Sequence, residues 1–192
     1  METYETLLAE VTEYAKSHEK KERFEHSMRT AATCADLCRR FGEDEKKGWF
    51  AGIAHDICKE FGDMELVSLA VKYGLPVSQI ERTKVSLLHG RAAAMLLQEQ
   101  FGITDSEIIE AVQHHTFGKA GMCNLAKLLY VADKIEPGRE HITEKYLKKT
   151  ENMSLNELVI FVLSENISYL QENGKKIAPA TQELLDSLVG CK

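Results

Sequence analysis

The sequence predicts an all-α fold in a single domain of about eight to ten helices. Apolar residues recur at intervals of three and four along most of the chain, which is the period of an amphipathic helix. No long alternating run of β-branched residues and no Asn-Gly hairpin signal occurs. Only three prolines occur in 192 residues, and each falls where a helix would start or stop. We therefore expect one helical domain over residues 1–192, long enough to bury a substantial core.

The first half of the chain is predicted to hold five helices. We place them at residues 3–18, 23–40, 43–58, 64–73 and about 87–100. Gly42 and Gly74 follow the second and fourth of these helices, at the position where glycine commonly ends a helix. Asp63 is the expected N-cap of the fourth helix. The segment after Pro76 is predicted to be a short connection.

The second half of the chain is predicted to hold four more helices. We place them at residues 108–115, 123–135, about 155–172 and 180–189. Thr104 with Glu107, and Ser154 with Glu157, have the spacing of capping boxes, in which each side chain satisfies a backbone N–H of the first helical turn. Pro137 stops the helix at 123–135.

The net charge of the chain is −6. This charge excludes a protein that coats nucleic acid through bulk positive charge. An anionic substrate would therefore need a local positive site within an acidic surface, and a bound metal ion could supply much of that positive charge.

The five cysteines are odd in number and form no CxxC pair. Cys34 and Cys38 lie four residues apart on a predicted helix and are expected to be small buried hydrophobic residues. A reducing cytoplasm fits this pattern. The N-terminus has no basic region followed by an apolar run, and the longest strongly apolar stretch, residues 158–163, is far too short to span a bilayer. We therefore expect a cytoplasmic protein with no membrane or nucleic-acid partner.

Histidines and aspartates recur on, or at the ends of, the predicted helices. They are His26, the adjacent pair His55-Asp56, His89, the adjacent pair His114-His115, and Asp133. Neutral imidazoles and carboxylates together suit iron, manganese or zinc. A structural zinc site would more often use thiolates. The pattern therefore predicts a metal site that forms when several helices pack together.

The first metal position is assigned to two histidines and two aspartates, namely His26, His55, Asp56 and Asp133. A second metal, if one binds, would take Asp56, His89, His114 and Asp133, with the aspartates as bridging ligands. If only one metal binds, His89 and His114 would hold a substrate phosphate instead. The residues expected to be catalytic are Asp56, His89 and His114. His115 points about 100° away from His114 on a helix, so only one of them can easily face a metal, and the sequence leaves open which one.

Four basic residues lie nearest to these ligands in the sequence. They are Arg23, Lys59, Lys134 and Arg139. We expect them to stabilise the charge that develops on a leaving phosphate when a metal-activated water attacks phosphorus. Lys59 would share a helix face with His55 if the helix at 43–58 extends that far.

The order of these residues resembles the HD-domain metallohydrolase superfamily. The segments RFEHSMRTA, AGIAHDICKEF, LLHGRAAA, HHTFG and LLYVADKIEPGR are similar to the blocks of its YqeK-like family of bacterial symmetrical dinucleoside-tetraphosphate hydrolases. The resemblance spans roughly residues 20–140, which would form the metal-site core. The helices at about 154–189 carry little of it.

This resemblance implies an HD-type helical bundle with one or two iron ions, manganese being the alternative metal. It implies central cleavage of diadenosine tetraphosphate into two ADP molecules, with His26, His55, Asp56 and Asp133 as iron ligands. Nucleotide contacts would fall near Arg23, Lys59, His89, His114, His115, Thr116 and Arg139, to which the sequence adds Lys134. The alternatives are another nucleotide substrate, such as a nucleoside monophosphate or a cyclic nucleotide, and a non-enzymatic metal-containing nucleotide sensor. A homodimer is compatible with this prediction.

Overall fold

A computed structural model describes residues 3–72 and 74–190, and these residues form eleven α-helices, one short 3-10 helix and no β-strand. The helices are α1 (Tyr4–His18), α2 (Lys21–Phe41), α3 (Glu45–Ala54), α4 (Asp63–Lys72), α5 (Gln79–Thr83), the 3-10 helix (Val85–Leu88), α6 (His89–Phe101), α7 (Ser106–His114), α8 (Asn124–Ile135), α9 (Glu144–Thr150), α10 (Leu155–Glu172) and α11 (Pro179–Val189). The all-α prediction is confirmed. Within the described ranges, no helix combines the length and the apolar character needed to cross a membrane.

The helix count exceeds the predicted range because two short helices were missed. The five-residue helix α5 follows Pro76 where a connection was predicted, and a capping box between Ser78 and Glu81 holds its first turn. The seven-residue helix α9 begins after Thr143, whose side chain accepts from the backbone N–H of Tyr146. Helices this short contain too few apolar positions to show a helical period.

Two predicted helix boundaries also need correction. Helix α7 begins after Asp105, whose carboxylate accepts from the N–H groups of Glu107 and Ile108, so Thr104 is not the cap. Asp63 is the first residue of α4 instead of its cap, and residue 73, the predicted end of that helix, lies outside the described residues. The capping box of Ser154 and Glu157 forms as predicted.

The helix predicted over 43–58 ends earlier than expected. Helix α3 stops at Ala54, and the chain continues as consecutive turns through residue 60. In these turns the N–H of Lys59 donates to the carbonyl of Asp56, three residues earlier, at 2.7 Å. His55 and Lys59 therefore do not share a helix face. The turns instead place His55 and Asp56 at the point where the chain leaves the helix.

Helices α2 and α3 approach each other closely because small residues line their contact. A Cβ atom on Gly52 would lie 2.3 Å from the Cα of Ala31, and one on Gly48 would lie 2.6 Å from the Sγ of Cys38. Cys34 and Cys38 are buried and free, as predicted. This close approach brings His26 on α2 towards the end of α3.

Helix α8 lies at the centre of the molecule and is buried on almost every side. It packs against α2, α7 and α10. Among its residues, Leu128, Leu129, Tyr130 and Val131 have no exposed surface. Helix α10 covers it with Leu158, Val159, Val162 and Leu163. Helix α10 therefore completes the core around α8, and α11 packs against α10.

We predict that Gly52→Ala destabilises the protein. The added methyl group would overlap the backbone of Ala31, and overpacking of this kind costs about 1–3 kcal/mol. Urea unfolding followed by circular dichroism measures the change. Gly62→Ala is the matched control, because a Cβ there meets no atom within 4 Å. Equal unfolding midpoints for the two variants would contradict the close contact of α2 and α3.

Candidate metal centre

The structure brings six of the predicted side chains together in one buried cluster, here called the His/Asp cluster. Its members are His26, His55, Asp56, His89, His115 and Asp133. They come from α2, the end of α3, the start of α6, the residue after α7, and the last turn of α8. Residues that are more than a hundred positions apart in the sequence therefore meet through helix packing.

Three of the four rings are oriented by the same local device. The Nδ1 of His55 donates to the carbonyl of Gly52 at 2.7 Å, that of His89 to Ser86 at 2.7 Å, and that of His115 to Val112 at 2.8 Å. In each case the acceptor lies three residues earlier in the chain. A carbonyl oxygen can only accept, so Nδ1 carries the proton and Nε2 keeps a lone pair directed into the cluster.

The first group of donors surrounds the Nε2 atom of His26. This atom lies 3.3 Å from the Nε2 of His55 and 3.1 Å from the Oδ1 of Asp133. The Oδ2 of Asp56 lies 3.5 Å from the Nε2 of His55. Two imidazoles and two carboxylates therefore point at a common centre, the set that the sequence assigned to the first metal.

The second group of donors surrounds the other oxygen of Asp56. Its Oδ1 lies 3.0 Å from the Nε2 of His89 and 3.6 Å from the Nε2 of His115, and the two Nε2 atoms are 2.9 Å apart. Asp56 thus presents one oxygen to each group. A carboxylate in this position can bridge two cations.

The donor atoms of the His/Asp cluster fit a divalent metal. The Oδ1 of Asp56 is buried and has no hydrogen-bond partner, because the imidazole nitrogens around it carry lone pairs instead of protons. Such atoms repel one another unless a cation lies between them. Ligands about 2.0–2.2 Å from a metal are roughly 2.9–3.5 Å apart for right-angled to tetrahedral geometry. Four separations here are 2.9–3.6 Å, and the Nε2 of His55 lies 3.8 Å from the Oδ1 of Asp133.

The protonation states also suit metal binding. Burial lowers the pKa of His55 to about 4 and lowers the pKa of His115, so both rings are neutral at pH 7. Burial alone would raise the pKa of Asp133, but the ammonium group of Lys134 outweighs it, so the pKa of this carboxyl lies well below its usual value. Arg23 donates to the Oδ2 of Asp56 at 2.9 Å, which favours the ionised form of that carboxyl as well. Neutral imidazole and ionised carboxylate are the forms that bind metals.

All four predicted cations contact the His/Asp cluster. Arg23 donates to the Oδ2 of Asp56 at 2.9 Å, and the Nζ of Lys59 lies 3.1 Å from the Nε2 of His89. Lys134 and Arg139 donate to the two oxygens of Asp133, at 3.2 Å and 2.7 Å. The hydroxyl of Thr116 lies 3.3 Å from the Nε2 of His115. The side chain of Lys134 is only 18% exposed, so this residue lies against the His/Asp cluster and is not a solvated surface residue, and burial lowers its pKa.

A model of the HD domain matches residues 23–138, which contain the whole His/Asp cluster. The chain belongs to the HD domain family. It is 30% identical to the symmetrical bis(5'-nucleosyl)-tetraphosphatase of Bacillus subtilis, over 83% of this chain and 85% of that protein. It is 29% identical to the symmetrical bis(5'-nucleosyl)-tetraphosphatase of Halalkalibacterium halodurans, over 91% and 92% of the two chains.

The HD fold is also shared with a solved structure. This is the crystal structure of a predicted HD superfamily hydrolase involved in NAD metabolism from Clostridium acetobutylicum. The two chains superpose over their full lengths with a TM-score of 0.88 and are 28% identical. The similarity therefore includes the C-terminal helices α10 and α11, which lie outside the matched HD domain.

The structure separates the two adjacent histidines of this HD domain. His115 lies in the second group of donors, whereas His114 was the residue expected there. His114 lies outside both groups of donors, and burial, with the positive charge of Lys119 as the next cause, lowers its pKa to about 4. The difference arises because successive residues at the end of α7 point about 100° apart. Asp133 was expected in both groups of donors. The structure places it in the first group, where its Oδ1 lies 3.1 Å from the Nε2 of His26, and not beside His89.

Two buried acids near the HD site were not predicted from the sequence. Glu136 accepts a hydrogen bond from the Nδ1 of His26 at 3.1 Å. Glu19 accepts one from the hydroxyl of Ser27 at 2.9 Å, and burial raises its pKa to about 7. Glu19 lies in a run of charged residues typical of an exposed turn, and Glu136 directly precedes a Pro-Gly pair. Their surroundings in the sequence gave no sign of burial.

We predict that His115→Ala lowers the metal content of the purified protein and that His114→Ala does not. Only the first variant removes a donor from the His/Asp cluster, and removal of such a group should cost at least about tenfold in metal affinity. Inductively coupled plasma mass spectrometry after equilibration with ferrous ion measures the difference. Metal loss in His114→Ala with retention in His115→Ala would contradict the orientation of these two rings.

Proposed function

We propose that this HD-domain protein is a metal-dependent symmetrical bis(5'-nucleosyl)-tetraphosphatase that hydrolyses diadenosine tetraphosphate into two ADP molecules. The observation that carries the proposal is the shared Asp56 carboxylate, whose oxygens face two groups of imidazoles. Such a centre binds metal for phosphoryl chemistry. The choice of substrate rests on the similarity to the two tetraphosphatases, which extends over most of the chain.

The proposed metal is iron, as one or two ions, with manganese as the alternative. His26, His55, Asp56 and Asp133 would hold the first ion, and Asp56, His89 and His115 would hold the second. Imidazole with carboxylate is a donor set that suits either metal. When bound there, a divalent metal lowers the pKa of a water molecule and polarises a phosphoryl oxygen.

The cations of the site are arranged to hold a polyphosphate. Arg23 and Lys59 lie at the Asp56 side of the His/Asp cluster, and Lys134 and Arg139 lie at the Asp133 side. Symmetrical cleavage requires attack on a phosphorus in the middle of the chain, so phosphates on both sides of the broken bond must be bound. Two separate pairs of cations would meet this requirement. One pair would neutralise the charge on the leaving ADP, and the other pair would bind the phosphates of the remaining half of the substrate.

The hydroxyl of Thr116 can donate to a phosphate oxygen beside His115. His89 and His115 face the same point and would orient this oxygen if only one metal is bound. A cytoplasmic location and a homodimer stay predictions from the sequence.

We predict that the purified protein converts diadenosine tetraphosphate and ferrous ion into two ADP molecules and nothing else. Separation of the products by anion-exchange chromatography checks this result. Chelation of the metal with EDTA should abolish turnover, and addition of ferrous ion should restore it. Formation of ATP and AMP would contradict symmetrical cleavage. No turnover with metal bound would favour a different nucleotide substrate or a sensor.

We predict that Lys59→Ala lowers kcat/KM without loss of metal. Its ammonium group lies at the second group of donors and can neutralise a phosphate there, which is a contribution of about 2–4 kcal/mol, or roughly 30- to 900-fold in rate. Steady-state kinetics with diadenosine tetraphosphate measure the change. Lys16→Ala is the control, because Lys16 lies in α1 with a side chain that is 63% exposed. Wild-type kinetics in Lys59→Ala would exclude this role.

A further inference from the structure

His26 differs from the other rings of the His/Asp cluster in what orients it. The rings of His55, His89 and His115 donate to a backbone carbonyl three residues earlier, so local structure fixes them. His26 lies within the regular helix α2, where backbone carbonyls are used by the helix itself. Its Nδ1 donates instead to the Oε1 of Glu136, 110 residues later, at 3.1 Å.

Glu136 is held firmly in place as a hydrogen-bond acceptor. Its Oε2 accepts from the Nε of Arg29 and from the backbone N–H of Gly138, both at 2.6 Å. Its side chain is only 2% exposed. Arg29 follows His26 by three residues and lies on the same face of α2. Two side chains on one face of α2 therefore hydrogen-bond to the Glu136 carboxylate, the ring of His26 to one oxygen and the guanidinium of Arg29 to the other.

Gly138 makes the approach of Arg29 possible. A Cβ atom at this position would lie 2.4 Å from the Nε of Arg29 and 2.6 Å from its Cζ. An alanine there would therefore displace the flexible guanidinium while leaving the Glu136 carboxylate intact. This gives an independent way to weaken the same arrangement.

We propose that Glu136 is a positioning residue for His26, held in place by Arg29. By accepting from Nδ1, Glu136 fixes the ring in the tautomer whose Nε2 lone pair faces His55 and Asp133. A carboxylate partner also makes the imidazole a more basic ligand than a neutral carbonyl does. The inference rests on the proposed function in one respect, the presence of a metal at the first group of donors.

The test compares cobalt binding by the full-length wild type, Glu136→Gln and Gly138→Ala, followed by the visible absorption of bound Co²⁺. Glu136→Gln should bind Co²⁺ about 10- to 100-fold more weakly than the wild type, as expected for loss of a partner that orients a ligand. Gly138→Ala should weaken binding in the same direction by a smaller factor. The ring ¹⁵N shifts of His26 in metal-free protein should show a single Nδ1–H tautomer in the wild type and a mixture in Glu136→Gln.

Glu81→Gln is the matched control. Glu81 is a buried acid that pairs with Arg91 at 3.4 Å, and neither residue belongs to the His/Asp cluster. This control should lose thermal stability while keeping wild-type Co²⁺ affinity. Unchanged Co²⁺ affinity and an unchanged His26 tautomer in Glu136→Gln would overturn the proposal. Wild-type affinity in Gly138→Ala would overturn the part assigned to Arg29.

If Glu136→Gln does not fold, wild-type ¹⁵N shifts that show a mixture of tautomers at His26 overturn the proposal, and a single Nδ1–H tautomer together with weaker Co²⁺ binding by Gly138→Ala supports it. If the wild type itself binds no Co²⁺, the proposed metal-dependent function fails. Failure of the function and failure of the positioning role are therefore distinguished by the wild-type measurement.

Discussion

The buried carboxylate of Asp56 is the group on which the rest of the site depends. Its Oδ2 accepts a hydrogen bond from Arg23, but its Oδ1 lies 3.0 Å from the Nε2 of His89 and 3.6 Å from that of His115, so lone pairs face lone pairs there. Helix packing alone does not favour such an arrangement, because unpaired buried polar atoms are destabilising. A divalent cation turns the same repulsion into coordination. Part of the stability of the folded protein should therefore come from the metal that it binds.

The fold supplies the rigidity that this arrangement requires. Gly48 and Gly52 allow α3 to lie directly against the backbone of α2, and this contact sets the separation of His26 and His55. The central helix α8 then carries Asp133 into the same space. Most residues of α3 and α8 are buried, so neither helix can shift without opening the core. The positions of the donors therefore depend on how these helices pack against α2.

The sequence was sufficient to predict features that depend on neighbouring residues. The all-α fold follows from helical periodicity, and the predicted ends of α2 and α10 follow from Gly42 and from the Ser154 capping box. The choice between His114 and His115 could not be made, because it depends on how the end of α7 is rotated about its axis. The same limit applies to the early end of α3, where turns replace the helix that its apolar pattern predicted.

Glu136 shows why tertiary contacts of this kind escape prediction from one sequence. Its neighbours, Pro137 and Gly138, mark a helix end, and such positions are usually exposed. Its burial becomes apparent only when α2 and the end of α8 meet, since Arg29 and His26 then contact both of its oxygens. The three rings fixed by their own backbone need no such partner. The His/Asp cluster therefore combines donors oriented locally with one donor whose orientation depends on a contact 110 residues away.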